Sequence, residues 1–198
     1  MAEKAANVLR AGGVVLLPTD TLYALGADAL SNAAVDAIYI IKGRDEKKPM
    51  HALVADMAMA QRYAEVPENA RILSEKLPRG KLTLVCKKKQ GTQTGIARGI
   101  DTFGFRIPDH DLCNALLRAF GGPITATSAN RGGQKPANAI NTILAQLGRS
   151  SDLIDLVIDA GELPERVPST VVDLSSGKAI VLREGAVPAA DIAEILGH

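Results

Sequence analysis

The 198-residue chain has no tryptophan, and aromatic side chains make up only 3% of it. An aromatic surface for stacking nucleobases, or an aromatic platform for sugars, is therefore not expected, since each needs several rings on one face. There are two cysteines, Cys86 and Cys113, and three histidines, His51, His110 and His198. Their spacing fits no metal-ligand pattern. Cys86 ends the apolar run Leu82-Thr83-Leu84-Val85-Cys86 and is expected to be an inert buried thiol. No apolar run approaches the roughly 20 residues that cross a bilayer. The opening Met1-Ala2-Glu3-Lys4 has no signal-peptide core. A cytoplasmic protein with no membrane attachment is the expectation. Also missing are a Gly-x-x-x-x-Gly-Lys-[Ser/Thr] loop, a Gly-x-Gly-x-x-Gly fingerprint, a Gly-x-Ser-x-Gly elbow and any Ser-His-Asp set. A nucleotide would have to be held in another way, and a covalent nucleophile is not indicated.

What is present suits a globular domain: 46% hydrophobic residues, 23% charged, and enough length for one substantial core. The net charge of +1 conceals an asymmetry. Residues 1–99 hold 15 lysines and arginines against 10 acids, while residues 100–198 hold 8 against 12. A basic N-terminal half could face phosphates, and solvated surface charge explains it equally well.

The stretch Val14-Val15-Leu16-Leu17-Pro18-Thr19-Asp20-Thr21-Leu22-Tyr23-Ala24-Leu25-Gly26 organises the rest. It is a buried strand that stops at proline and empties into a small polar cluster, as strands of α/β folds do when they present a site. A helix over about 3–11 precedes it, and Ser31 is placed to cap a second helix with the apolar stripe Ala34, Val35, Ile38 and Ile41. Lys42-Gly43-Arg44-Asp45-Glu46-Lys47-Lys48-Pro49 then forms a basic loop, broken by Gly and closed by Pro. Strands are expected at 51–55, 82–86, 103–108 and 124–126, with helices near 56, over 68–77, 111–120 and 138–147. Residues 90–102, rich in Gly and Thr, are a candidate lid. Residues 131–136 read as a mobile polar stretch. The C-terminal third predicts an antiparallel meander of three strands (153–158, 169–174, 180–182) and a final helix over 189–196. The expected fold is α/β: one domain over 1–198, with an open, twisted, mixed sheet flanked by helices.

Five stretches in order carry a resemblance. They are Pro18-Thr19-Asp20-Thr21-Leu22-Tyr23, the basic loop Lys42 to Pro49, Ser128-Ala129-Asn130, Ser169-Thr170-Val171-Val172-Asp173, and Leu182-Arg183-Glu184-Gly185. Together they resemble the YrdC/TsaC family of threonylcarbamoyl-AMP synthases over roughly residues 5–196. The resemblance implies a YrdC-like fold with a basic concave face and no C-terminal extension domain. It also implies a reaction: L-threonine, bicarbonate or CO2, and ATP give threonylcarbamoyl-adenylate and pyrophosphate, with Mg2+ held largely by phosphates and water. A downstream threonylcarbamoyl transferase complex would then modify tRNA. Such chemistry needs no nucleophile; it needs anions positioned and developing charge offset.

Carried over residue by residue, the resemblance implies threonine contacts at Thr21, Arg106, Ala126 and Ser169. It implies ATP contacts at Arg44, Lys48, Thr102, Ser128, Asn130 and Arg183, with charge stabilisation by Lys42, Arg44 and Lys48. The chain departs from the family pattern in five places. Ala24 replaces a usual glycine, Pro168 a usual glutamate, and Pro136 a serine-type contact. Leu77-Pro78-Arg79-Gly80-Lys81 replaces an aromatic-Pro-Gly-Pro. Leu53 stands where a threonine-contacting histidine is usual, and His51, two residues earlier and so on the same strand face, is the candidate substitute. Two other readings compete. A non-catalytic module binding tRNA or double-stranded RNA would spread phosphate contacts over a wide face, with affinity falling steeply with salt. A carbamoyl-adenylate step on another acceptor would resemble larger carbamoyl-transfer proteins, whose zinc-finger and acylphosphatase-like extensions this chain lacks.

Overall fold

A computed structural model describes residues 1–45 and 49–197. In chain order the elements are α1 (Ala2–Arg10), β1 (Val15–Pro18), β2 (Tyr23–Gly26), α2 (Asn32–Lys42), β3 (Ala52–Leu53), α3 (Met57–Ala60), β4 (Ala64–Glu65), α4 (Glu68–Lys76), β5 (Leu82–Lys88), β6 (Thr102–Arg106), α5 (Asp111–Phe120), β7 (Ile124–Thr125), β8 (Thr127–Ser128), α6 (Ile140–Leu147), β9 (Leu156–Val157), β10 (Thr170–Asp173), β11 (Ile180–Arg183) and α7 (Ala189–Leu196). The helices begin and end where local chemistry dictates. Ser31 caps α2 by accepting from Ala34 N–H at 3.3 Å, and Gly43 ends it in a left-handed conformation. Gly121 ends α5 in the same way.

The strands form two mixed sheets among the described residues: β8-β2-β1-β9, and β11-β10-β5-β6-β3-β7 with β4 added beside β5. Helix α1 packs on α5, and α4 on α7. Between helices and sheets lies a continuous core that includes Leu16, Leu17, Leu25, Ile38, Phe103, Phe105 and Leu116, each no more than 1% exposed. The mixed α/β expectation holds, with the strands divided between two sheets rather than collected in one.

Several local expectations change. Tyr23 to Gly26 is a second strand, paired antiparallel with β1, so the polar cluster is a hairpin loop rather than a strand end. Every residue of β2 is buried, which removes the alternation that marks a strand in sequence. The stretch Ile124–Ser128 changes sheets: β7 pairs with β3, and β8 pairs with β2. The C-terminal meander is not formed. β9 runs parallel to β1 and β10 parallel to β5, leaving only β10 and β11 as an antiparallel pair. Asp155 secures the β9 arrangement by accepting from Val14 N–H at 2.8 Å. The candidate lid is docked rather than free, because Gly95 N–H donates to Asn32 Oδ1 at 2.7 Å and Ile96 N–H to the Ala29 carbonyl at 2.9 Å. Of residues 131–136, Gly132 N–H is tied to the Lys42 carbonyl at 2.7 Å.

Candidate functional site

Side chains alternate across a strand, and on β5, β6 and β10 that alternation separates core from cavity. Leu84, Cys86, Phe103, Phe105 and Val172 enter the core. Thr83, Val85, Thr102, Gly104, Arg106, Val171 and Asp173 point the other way and form the floor of a cavity of about 530 Å3. Register aligns Val85 with Asp173 on one side and with Gly104 on the other. Gly104 keeps the floor low: a Cβ there would lie 3.2 Å from His51 Cβ and 3.6 Å from Val85 Cγ2. The walls come from the hairpin loop (Thr19, Thr21), His51, the sheet crossover (Ala126, Thr127, Ser128) and the Leu182-Arg183 end of β11.

The hairpin loop is built around one hydroxyl. Thr19 Oγ1 donates to the Leu22 carbonyl at 2.7 Å, accepts from Thr21 and Leu22 N–H at 3.1 and 3.2 Å, and lies 3.0 Å from Thr21 Oγ1. This side-chain turn is what the Thr-Asp-Thr sequence encodes. Thr21 is thereby presented to the cavity. Ser169 Oγ pairs with Thr83 Oγ1 at 2.8 Å, and the Ser169 carbonyl accepts from Arg183 Nη2 at 2.8 Å. Beside it, buried Thr170 donates to the Val187 carbonyl and accepts from Gly185 and Val187 N–H, which fastens the segment after β11 to β10.

Among the described residues Arg44, Arg106 and Arg183 line the cavity, with Asp173 as the one lining carboxylate. Arg106 is buried and ion-paired with Asp20 at 2.6 Å. Arg44 donates to the Pro49 carbonyl at 3.2 Å and to Thr127 Oγ1 at 3.4 Å, while its buried Nε has no partner. The three cations act on their neighbours. His51, half-buried in the wall, has its pKa pushed down to about 3 by burial and then by Arg106, Arg183 and Arg44. Its imidazole is therefore neutral at pH 7. Arg183 is lowered from its ordinary value by burial and by Arg106. Such an arrangement suits anions: forked guanidinium donors and hydroxyls, with one acid among the described lining residues.

Nine of the expected site residues line this one cavity: Thr21, Arg44, His51, Thr102, Arg106, Ala126, Ser128, Ser169 and Arg183. The Ala126 N–H is committed to the His51 carbonyl at 3.0 Å. Lys42 and Asn130 are placed differently. Lys42 is 2% exposed and does not line the cavity; its ammonium donates to the carbonyls of Ser128 and Asn130 and to Asn130 Oδ1. Burial, followed by Arg44, pushes its pKa down to about 7. Asn130 Oδ1 also accepts from Ser128 Oγ, and its Nδ2 donates to the Arg131 and Gln134 carbonyls. The structure therefore places the Lys42 ammonium on the 128–134 loop, outside the cavity where a direct charge role was expected. Lys48 lies outside the described residues.

Asp173 lines the cavity from within a motif that gave it no role, and Thr83 and Gly104 are lining residues that sequence reading passed over. Two signals pointed to them: Thr83 alternates with Leu82 and Leu84, and Gly104 interrupts a strand, a common mark of close approach. Neither cysteine lines the cavity, and burial pushes both Cys86 and Cys113 up to about 12. Among the described residues no group of three or more His, Cys, Asp or Glu could hold a metal ion, and no helix is long and apolar enough to cross a membrane.

Residues 7–185 match the Sua5/YciO/YrdC family model, described as "Telomere recombination". The chain is 35% identical over 196 residues to the threonylcarbamoyl-AMP synthase of Pyrococcus abyssi, covering 98% of this chain and 56% of that protein. It is 40% identical over 187 residues to the human threonylcarbamoyl-AMP synthase, covering 89% of this chain and 64% of the human one. It therefore spans less than two thirds of either relative. The crystal structure of P. abyssi Sua5 complexed with L-threonine superposes with a TM-score of 0.88 at 33% identity, covering 99% of this chain and 57% of that one.

Proposed function

The chain belongs to the Sua5/YciO/YrdC family, and on that premise we propose that it is a threonylcarbamoyl-AMP synthase. It would convert L-threonine, bicarbonate or CO2, and ATP to L-threonylcarbamoyl-adenylate and pyrophosphate. The observation that carries this reading is the convergence of Arg44, Arg106 and Arg183 with the hydroxyls of Thr21, Ser128 and Ser169 on one cavity. At about 530 Å3 it falls in the range of roughly 300–1,000 Å3 typical of small-molecule sites. Two relatives carry the name of this enzyme, and the Pyrococcus structure contains L-threonine. A convergent cavity also favours an enzyme over an RNA-binding module, which would spread its cations over a wide face.

In this scheme Arg106 takes the threonine carboxylate, while Thr21, Ser169 and the Ala126 backbone orient the amino acid, with His51 as a neutral wall. The amine nitrogen bonds to the CO2 carbon and releases a proton, giving a carbamate. A carbamate oxygen then attacks the α-phosphorus of ATP, and the bond from that phosphorus to the β-phosphate bridging oxygen breaks to release pyrophosphate. Arg44, Arg183, Thr102 and Ser128, with Lys48, hold the nucleotide and offset charge developing on the phosphate oxygens. Lys42 and Asn130 keep the Ser128 loop in place. Mg2+ would enter as part of the nucleotide substrate, since among the described residues the one lining carboxylate, Asp173, is too little for a protein cage. The adenylate would pass to a tRNA-modifying threonylcarbamoyl transferase complex in the cytoplasm, and the basic N-terminal half would offer direct contact to tRNA or double-stranded RNA.

The test is direct. Purified protein is incubated with ATP, Mg2+, bicarbonate and L-threonine, and pyrophosphate and adenylate are followed by mass spectrometry. The expected result is pyrophosphate release that requires threonine. Intact tRNA binding with no such release would overturn the synthase reading.

A further inference from the structure

The hairpin loop between β1 and β2 contains a carboxylate to which the reaction scheme gives no task. Asp20 is 4% exposed, and the guanidinium it faces, Arg106, is equally buried. Arg106 Nη1 donates to both Asp20 oxygens at 2.6 Å each and lies 3.4 Å from the Gly80 carbonyl oxygen. Among the described residues these are its only protein acceptors, and all three are on Nη1. The guanidinium is therefore held by one terminal nitrogen, and its Nε–Nη2 edge has no protein partner. That edge is a pair of parallel N–H donors, the arrangement that fits a carboxylate in a two-bond fork, and Arg106 lines the cavity.

The carboxylate has little freedom to move. A Cβ on Gly80 would lie 2.0 Å from Asp20 Oδ2, so this glycine is what admits Asp20 to its place. The Asp20 carbonyl accepts from Arg166 Nη1 at 2.7 Å, and its neighbours Thr19 and Thr21 are joined through their hydroxyls. Thr21 and Arg106, which belong to separate elements, are thus held in one relative geometry through Asp20.

We propose that Asp20 is a positioning residue of the amino-acid site: it holds Arg106 by Nη1, leaves the Nε–Nη2 edge for the substrate carboxylate, and offsets the charge of Arg106 so that phosphates go to Arg44 and Arg183. This rests on the threonine reading above. A neutralised ion pair still gives directed hydrogen bonds but attracts a polyanion less than a lone guanidinium does. With three arginines on one cavity, that difference keeps carboxylate and triphosphate ends apart.

Titration calorimetry on the whole chain tests it, using L-threonine and a non-hydrolysable ATP analogue, with pyrophosphate as competitor. In Asp20→Asn, the L-threonine dissociation constant should rise at least tenfold while that of the analogue stays within twofold. Pyrophosphate should also begin to displace L-threonine in the variant but not in the wild type. Equal weakening of both ligands, as a general loss of structure would give, or no change in either, overturns the proposal. If the wild type binds no L-threonine, the substrate reading itself fails. Should Asp20→Asn not fold, nitrogen NMR of the wild type decides. The Arg106 Nε–H resonance should move on adding L-threonine but not threoninol, which lacks the carboxylate. An Nε–H that stays still at saturating L-threonine overturns the proposal.

Discussion

The two faces of β5 and β6 perform different work with alternate residues of the same strands. On one face Leu84 is aligned with Phe105 and Cys86 with Phe103, all almost fully buried, and Tyr63 stacks on Phe103 with ring centroids 5.7 Å apart. On the other, Thr83, Val85, Thr102, Gly104 and Arg106 meet the cavity. A slip of one residue would exchange the faces, so the apolar face enforces the register that aims the polar one. The core face should therefore tolerate little change in volume, and the cavity face should tolerate change structurally while losing chemistry.

Cutting into the core face should produce the largest effect. Phe105→Ala removes a ring that is 1% exposed and is expected to cost about 3–5 kcal/mol of folding free energy, read from urea unfolding. The fraction that remains folded should still show threonine-dependent pyrophosphate release. A cost below about 1 kcal/mol would mean that the core face does not carry the register. Arg44→Ala should do the opposite. Among the described residues its two hydrogen bonds are long, at 3.2 and 3.4 Å, so stability should change by less than about 1 kcal/mol, whereas turnover should fall roughly 100-fold with the loss of a charge-stabilising donor. Unchanged turnover would remove Arg44 from the nucleotide site.

The contrast also explains what was legible in the sequence. Helices with local caps were readable to within a residue or two: α5 spans Asp111–Phe120 and α7 spans Ala189–Leu196. Their start and stop signals lie next to them in the chain. Strand pairing is different, because an apolar run such as 153–158 marks a strand without naming its neighbour, and in the structure only Ile158 of that run is buried. Its partner β1 is more than a hundred residues away, so a meander of neighbours was the natural misreading. The site was legible through the order of its motifs, which brought Thr21, Arg106 and Ser169 together. The motifs could not show that Lys42 bonds to the Ser128 loop from below, or that Asp20 faces Arg106. Both contacts cross more than eighty residues and depend on tertiary placement alone.

A third substitution probes the boundary between the faces. Gly104 has the cavity above it only because it has no side chain, and a Cβ would already stand 3.2 Å from His51 Cβ. Gly104→Ala adds only that Cβ, needs a slight shift of His51, and should leave unfolding free energy within about 1 kcal/mol. It should lower threonine-dependent turnover about tenfold by filling space that ligand needs. Loss of stability without loss of turnover would place Gly104 on the packing side of the comparison.

The smallest expected effect is a tilt in pH dependence. Burial, and then Arg106, Arg183 and Arg44, lower His51 from 6.5 to about 3, so the imidazole must give up its proton to fold. Between those values the unfolded chain holds more protons than the folded one, and this group's contribution therefore declines as pH falls from 6.5 toward 3. Above 6.5 it is fully present and flat. In His51→Gln the fall in unfolding free energy between pH 7 and pH 5, read from urea titrations, should be shallower than in the wild type, by about 1 kcal/mol or less once solvent screening of a half-buried group is allowed for. Parallel curves would show that His51 titrates normally. The same neutrality bears on the cavity: among the described lining residues the positive charge at pH 7 belongs to the arginines, so wild-type affinity for L-threonine should stay level from pH 8 to pH 6. A rise in affinity over that interval, lost in His51→Gln, would mean that the imidazole takes up a proton beside the carboxylate and acts as a ligand rather than a wall.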